Sequence, residues 1–354
     1  MRLRLVLATV TAGLTAAACL TAAGPATARS ATAQRTSAHP CSPSTSITGF
    51  SDALDKTTYN DTFVGNLSAL AVDRDGAIAA LSDRSSLFTL DPMSLRPRSV
   101  VALADEKGAG LDAEGLAVDR DGTRLVSSET EPSIRRYGRD GTLLGSLPVP
   151  DALRVAPAGR ATGNATFEGL TLLPGGRTLL AGMEGALSGD GTGIVRFQTW
   201  HRHGGSQAFA LAAQYGYRTD TGLSVSETTA TPDGRLLVLE RGFTSGVGNT
   251  IRLYVADPRH ATDTSGTENL TGQDGVRLIR KTLLADIADC PSLGATAKQP
   301  QPNPLLDNIE GMAITGREPG GRLKVLLVSD DNQNQVQTTR FYSLRVRLPF
   351  VAEG

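Results

Sequence analysis

Short apolar runs alternate with small polar clusters along most of this chain, and the runs are joined by turns built from Gly with Asp or Pro. Ser68-Ala-Leu-Ala-Val-Asp-Arg-Asp-Gly76, Glu114-Gly-Leu-Ala-Val-Asp-Arg-Asp-Gly122, Glu168-Gly-Leu-Thr-Leu-Leu-Pro-Gly-Gly176 and Ser226-Glu-Thr-Thr-Ala-Thr-Pro-Asp-Gly234 are copies of one unit. A fifth copy begins at Glu310-Gly-Met-Ala-Ile314 and passes through Gly320-Gly321 into Val325-Leu-Leu-Val-Ser329. Apolar alternation on both sides of a Gly-containing turn predicts a β-meander, and recurrence at roughly 40 to 50 residues predicts a repeat architecture. The fold class that follows is all-β, a β-propeller with five or six blades. Such a ring gathers the same position of every repeat around one channel, so residues far apart in sequence converge.

Within each repeat the order is apolar strand, turn, second strand, charged pair, third strand. The second strands fall at 77–81, 124–127, 177–181, 235–239 and 323–328; the third strands fall at 87–90, 134–137, 193–198, 250–256 and 339–344. The repeats start at 68, 114, 168, 226 and 310, so the spacing grows from 46 through 54 and 58 to 84 residues. Insertions account for the growth: 200–205 in the third repeat, 258–273 and 290–304 in the fourth. Long irregular connections of this kind carry variable surface. A sixth blade, assembled from 47–56 and the C-terminal strand, is an alternative way to close the ring.

The first residues, Met1-Arg-Leu-Arg4, are positive, 5–24 contains no charge, and Ala26-Thr-Ala28 forms an A-x-A cleavage site. This is the pattern of a secretory signal peptide over 1–28. It implies a secreted, extracellular protein with no integral membrane segment once the leader is gone. Residues 29–46, rich in Ser, Thr, Ala and Pro, read as a flexible arm, and 47–354 as one propeller domain. With Cys19 lost in the leader, Cys41 and Cys290 remain, an even number in an oxidising compartment, so a Cys41–Cys290 disulfide is expected. The chain has 35 Lys and Arg against 36 Asp and Glu, which gives no electrostatic footprint for nucleic acid. A monomer is expected.

Two polar positions recur. The first opens each inner strand: Ser68, Glu114, Glu168, Ser226 and Glu310. The second follows each second strand: Asp83-Arg84, Glu129, Glu184, Glu240-Arg241 and Asp330-Asp331-Asn332. A hairpin brings the chain back to the end where it started, so the two sets share one rim of the channel. Crowded carboxylates raise one another's pKa unless cations neutralise them, and hard oxygen ligands suit calcium better than zinc or copper. Arg84 and Arg241 either pair with neighbouring acids or receive an anionic substrate. The competing structural reading is that inner-strand glutamates accept N–H groups from the adjoining blade and fix its register. Neither a Gly-x-Ser-x-Gly elbow nor a P-loop is present, and His201-Arg-His203 lies in an insertion.

Phe167-Glu-Gly-Leu-Thr-Leu-Leu-Pro-Gly-Gly-Arg177, Pro232-Asp-Gly-Arg-Leu-Leu-Val-Leu-Glu-Arg-Gly-Phe243, Asn308-Ile-Glu-Gly-Met-Ala-Ile314 and Leu326-Leu-Val-Ser-Asp-Asp-Asn332 carry a family resemblance. Over 47–348 the chain resembles the secreted bacterial phytase-like propellers, described as having esterase-like activity of the phytase family. Through them it is distantly similar to the calcium-dependent alkaline phytases, six-bladed propellers whose acidic channel mouth holds calcium and inositol phosphate. The resemblance implies calcium as cofactor and Glu114, Glu168, Glu310 and Asp330 as ligands, with Arg84 or Arg241 on phosphate. Adding the recurring neighbours gives an expected metal set of Glu114, Glu129, Glu168, Glu184, Glu310, Asp330 and Asp331. Glu168, Glu310 and Arg241 are the catalytic candidates. The chain departs from the alkaline phytases in lacking their long acidic run near the first blade and their Lys/Arg-lined cleft.

Three functions stay open at this point. The first is a secreted, calcium-dependent hydrolase of small-molecule esters, a phosphomonoesterase above all. The second is a non-catalytic propeller that binds a ligand or protein, and the third a lactonase-type propeller with one metal deep in its channel.

Overall fold

The structure is a computed structural model that describes residues 39–204, 208–273 and 275–350. The expected leader at 1–28 and the first part of the arm lie outside the described residues. The chain opens with β1 (His39–Pro40), β2 (Thr45–Ser51) and a small separate hairpin, β3 (Thr57–Tyr59) and β4 (Thr62–Val64). Blade one is β5 (Leu67–Val72), β6 (Ile78–Ser82), β7 (Ser86–Leu90) and β8 (Pro97–Ala102). Blade two is β9 (Ala113–Val118), β10 (Arg124–Ser128), β11 (Ser133–Tyr137) and β12 (Leu143–Ser146). Blade three is β13 (Phe167–Leu172), β14 (Thr178–Met183), β15 (Ile194–His201) and β16 (Ala210–Arg218). Blade four is β17 (Ser224–Ala230), β18 (Leu236–Thr244), β19 (Gly248–Asp257) and β20 (Arg280–Asp286).

Blade five takes β21 (Ile309–Arg317), β22 (Leu323–Ser329) and β23 (Phe341–Val346) from the end of the chain and β2 and β1 from its beginning. β2 pairs antiparallel with β23, Thr45 opposite Val346 and Ser51 opposite Phe341. The fold is therefore a five-bladed propeller. Of the segment 47–56, an alternative source of a sixth blade, residues 47–51 instead belong to the fourth strand of the fifth, between β23 and β1. The same pairing places 39–40 and 45–46 in ordered strands, so the domain starts before residue 47.

The first hairpin of each blade turns by one mechanism. In blade one the Gly76 N–H donates to the Asp73 carbonyl and the Asp73 N–H donates to the Ala77 carbonyl. The same pair of bonds recurs at Asp119–Gly122–Thr123 and Thr231–Gly234–Arg235. Gly76, Gly122 and Gly234 sit at φ +84°, +85° and +85°, a left-handed backbone position that residues with a β-carbon rarely adopt, so Gly closes each turn. Apolar faces of successive blades pack on one another, one cluster running from Leu125 and Ile134 of blade two through blade three to Val225 and Leu236 of blade four. Within blade three Phe167 meets Trp200 edge-on at 5.8 Å between centroids, and Phe197 stacks on Tyr217 at 5.0 Å.

The 290–304 connection and the chain start are fastened together. Cys41 and Cys290 form the expected disulfide. Arg340, 1% exposed, donates to both Asp52 oxygens at 2.6 and 2.8 Å and to the carbonyls of Pro304 and Thr296 at 2.7 and 2.9 Å. A buried guanidinium with all of these acceptors is paired and satisfied, and it ties three segments to blade five.

Candidate active site

At the end where the inner strands begin, the channel widens into a cavity of about 600 Å³. Its walls include Asp83, Asp112, Glu114, Glu129, Glu168, Glu184, Glu310 and Asp330, with Arg84 and Arg241 as the cationic side chains. The predicted convergence is what the structure has for all of the expected ligands except Asp331. Each first-position residue is delivered by a β-bulge. The pairing of inner strand to second strand slips at Ser68, across Glu114-Gly115, across Glu168-Gly169, at Ser226 and at Glu310. A bulge re-aims a side chain out of the regular alternation, which is how a residue of a buried inner strand reaches the mouth.

The Glu-Gly pairs acquire a physical reason here. A β-carbon on Gly115 would lie 2.3 Å from the Glu168 carbonyl oxygen, and one on Gly169 would lie 2.2 Å from the Thr228 backbone nitrogen. Adjacent inner strands touch at these glycines, so each Glu is held against the next blade's bulge. Ser127 locks one such contact, accepting from the Gly115 N–H at 2.6 Å and donating to the Glu168 carbonyl at 2.9 Å.

Arg241 sits among the acids, 3.2 Å from Glu310 and 3.5 Å from Glu184, and donates to Asn308 Oδ1 at 2.8 Å. Asn308 passes the contact on, its Nδ2 donating to Glu310 at 2.9 Å. Arg84 differs: its side chain is 67% exposed and its contact with Asp83 is 3.5 Å. One arginine braces the carboxylates; the other stands exposed at the opening.

Positive charge falls well short of the acid count, and burial compounds the imbalance. Burial first, and then Glu184 and Asp112 beside it, push the Glu129 carboxyl up to about 8. Burial, then Glu114 and Glu184, hold Glu168 well above the usual carboxylate range, and burial, then Glu310 and Glu129, do the same for Glu114. Asp83 rises to about 6, chiefly from burial. Glu310 is raised by burial, against the pull of Arg241, and Asp330 by burial and Glu310.

Oxygen atoms of Asp112, Glu114 and Glu129 lie within 4.8 Å of one another, as do those of Glu129, Glu168 and Glu184. Glu129 belongs to both groups. Its residue is 4% exposed and its Oε1 has no hydrogen-bond partner. An orphaned carboxyl oxygen in an all-oxygen donor set fits a hard divalent cation, and calcium in particular.

A family model described as phytase-like, esterase-like activity of phytase, matches residues 62–333. The chain belongs to this family. A secreted, uncharacterised protein of Arthroderma benhamiae is 30% identical to the phytase-like chain over 113 residues, 25% of this chain. The match spans 22% of that relative's length. Solved structures similar to the phytase-like chain include a PQQ-bound aldose sugar dehydrogenase of Streptomyces coelicolor, 15% identical, covering 88% of this chain and 100% of that one, TM-score 0.41. A gluconolactonase of Xanthomonas campestris is 14% identical over 78% of this chain and 71% of that one, TM-score 0.38.

Two acids of the phytase-like chain that share the recurring second position serve elsewhere. Asp331, an expected ligand, is absent from the cavity wall: it pairs with the Lys56 ammonium and accepts the Asn66 N–H at 3.0 Å. Glu240 bonds Lys281 at 2.5 Å and the Tyr217 hydroxyl at 2.6 Å. Asp112 and Asn249 join the wall from outside both recurring positions, so the repeat pattern gave no signal for them. The structural duty expected of inner-strand glutamates falls instead to Glu227. Its buried carboxyl accepts the Thr228 N–H at 2.7 Å and N–H groups of Leu170 and Met312, joining the inner strands of three blades.

Proposed function

We propose that this protein is a secreted, calcium-dependent hydrolase of phosphomonoesters that works at the channel mouth. The observation that carries the reading is the Glu129 carboxylate, buried, shared by two acidic triads and lacking a partner for Oε1. Asp112, Glu114, Glu129, Glu168 and Glu184 are the residues that would hold calcium, with Glu310 and Asp330 beside them. The ion supplies charge neutralisation for an anionic substrate and a lowered pKa for bound water.

The chain's own residues supply the rest. Arg84, exposed and weakly paired, is the side chain suited to meet a phosphate oxygen. Arg241, expected both as a catalytic and as a substrate-binding residue, is braced by Glu310, Glu184 and Asn308 and positions the carboxylates. Glu168, made basic by burial and by Glu114 and Glu184, would take a proton from the attacking water and return it to the ester oxygen as the P–O bond breaks. Secretion is supported by the Arthroderma relative, a secreted protein, and among the described residues no helix is long and apolar enough to cross a membrane.

Turnover of p-nitrophenyl phosphate and of phytate by the mature chain is expected in calcium and lost in chelator, in Glu168→Ala and in Glu310→Ala. Inertness toward both esters, or activity indifferent to these changes, rejects the reading. The two triads accommodate two cations, whereas a lactonase-type site needs one. Metal content of the purified protein separates these readings.

A further inference from the structure

One side of the cavity carries no acid. The acids come from blades one, two, three and five; blade four departs from the pattern, with Ser226 and Arg241 at the recurring positions and Glu240 turned away. There the wall is Phe243 at the end of β18, Asn249 at the start of β19, Gln299 from the 290–304 connection, and Asn334 and Gln337 from the β22–β23 connection. We propose that this wall binds the uncharged polyhydroxyl part of the substrate, a sugar or polyol, while the acidic side takes a single ester group. The assignment rests on the hydrolase reading of the same cavity and adds its substrate class.

Primary amides both donate and accept, as hydroxyls do, and they match a sugar without selecting charge. Asn249 supplies a donor in waiting: the residue is 2% exposed and its Nδ2 has no partner. A buried donor left unmade is costly, so a ligand hydroxyl that meets it gains more than one meeting water-exposed surface. Phe243 is 59% exposed at the rim, a flat apolar face on which the C–H side of a sugar ring can lie. The wall is rigid. Gln301 Oε1 accepts the Asn249 N–H at 2.8 Å, and a β-carbon on Gly248 would stand 2.4 Å from that same oxygen, so the connection lies flush on the β18–β19 hairpin. Asn303 holds the carbonyls of Ala288 and Cys290 at 2.9 and 2.6 Å, and the disulfide and Lys298–Asp55 pair fasten the segment from behind. A substrate bearing many phosphates would press anions on amides and an aromatic ring, where the lining guanidinium of blade four, Arg241, is already held by Glu310, Glu184 and Asn308.

The test uses D-glucose as the neutral probe and glucose 6-phosphate and phytate as substrates, with the whole mature chain. Saturation-transfer NMR titration gives the glucose Kd for the wild type, Phe243→Ala and Asn249→Ala, with melting curves to verify folding. We expect Kd to rise about three- to tenfold in each variant, the scale of one lost contact. Glucose 6-phosphate should exceed phytate in kcat/KM, and the variants should raise its KM more than they lower kcat. Absent glucose binding, a Kd unchanged in both variants, or phytate taken in preference overturns the assignment. Glucose binding that weakens in both variants while no ester is turned over sustains the wall and defeats the hydrolase reading alone.

Discussion

Glu129 is the residue at which a binding role and a structural role make opposite demands. Glu129→Gln removes a carboxyl that must either take up a proton on folding or hold its charge in a crowded, buried set, so the calcium-free variant should melt higher than the calcium-free wild type. The same change should weaken calcium binding at least about tenfold, the size of effect expected when a shared ligand is lost. Differential scanning calorimetry with and without calcium reads both. The pH dependence follows from the raised acids. Glu129, moved up to about 8, and Asp83, moved up to about 6, bind more protons folded than unfolded. Stability of the calcium-free protein therefore falls as pH rises from about 4 toward 8, the reverse of a salt-bridged carboxylate. Calcium should restore most at the upper end, releasing protons as it binds; melts across pH, with and without chelator, check the sign. The acids were legible because they recur at fixed offsets from the same turn. Asp331 and Glu240 misled because a sequence shows position and not partner: Lys56 and Lys281 decide where those two carboxylates point.

The strands and first hairpins were readable from alternation and from Asp-Gly turns, since both are local. The bulges were not. A bulge is a mismatch between two strands, visible only once they are paired, and the same holds for the glycines beside Glu114 and Glu168, whose service as contact points between blades no local pattern shows. Glu227 was hidden for the same reason, one place beyond the position that its repeat equates with Glu114. Glu227→Ala would strand buried N–H groups of Leu170, Thr228 and Met312 on three adjoining inner strands. A loss of about 3 kcal/mol or more is expected from donors left unmade, and less from Glu227→Gln, which keeps an acceptor. Urea unfolding of the two variants measures the difference. Equal losses would show that the carboxyl does not bridge the blades.

For the molecule as a whole, sequence gave the ring but left its number of blades open, because the closing strands come from opposite ends of the chain and share no repeat signature. Cys41 and Cys290, 249 positions apart, fasten that closure. Replacing both with Ser should cost about 2 to 5 kcal/mol in thermal stability by the loop-entropy account, and it should loosen the 290–304 wall of the cavity along with blade five. A weaker affinity for glucose in the double Ser variant would report the second effect.

The pairing of β2 with β23 also sets an order of events during synthesis. β2 is made near the start and its partner near the end, so one of its edges stays bare until nearly everything else has followed. A nascent or prematurely terminated chain lacks that partner and offers an adhesive border to its neighbours. Sealing of the circle is thus a late step, and it is there that the protein is most exposed to clumping.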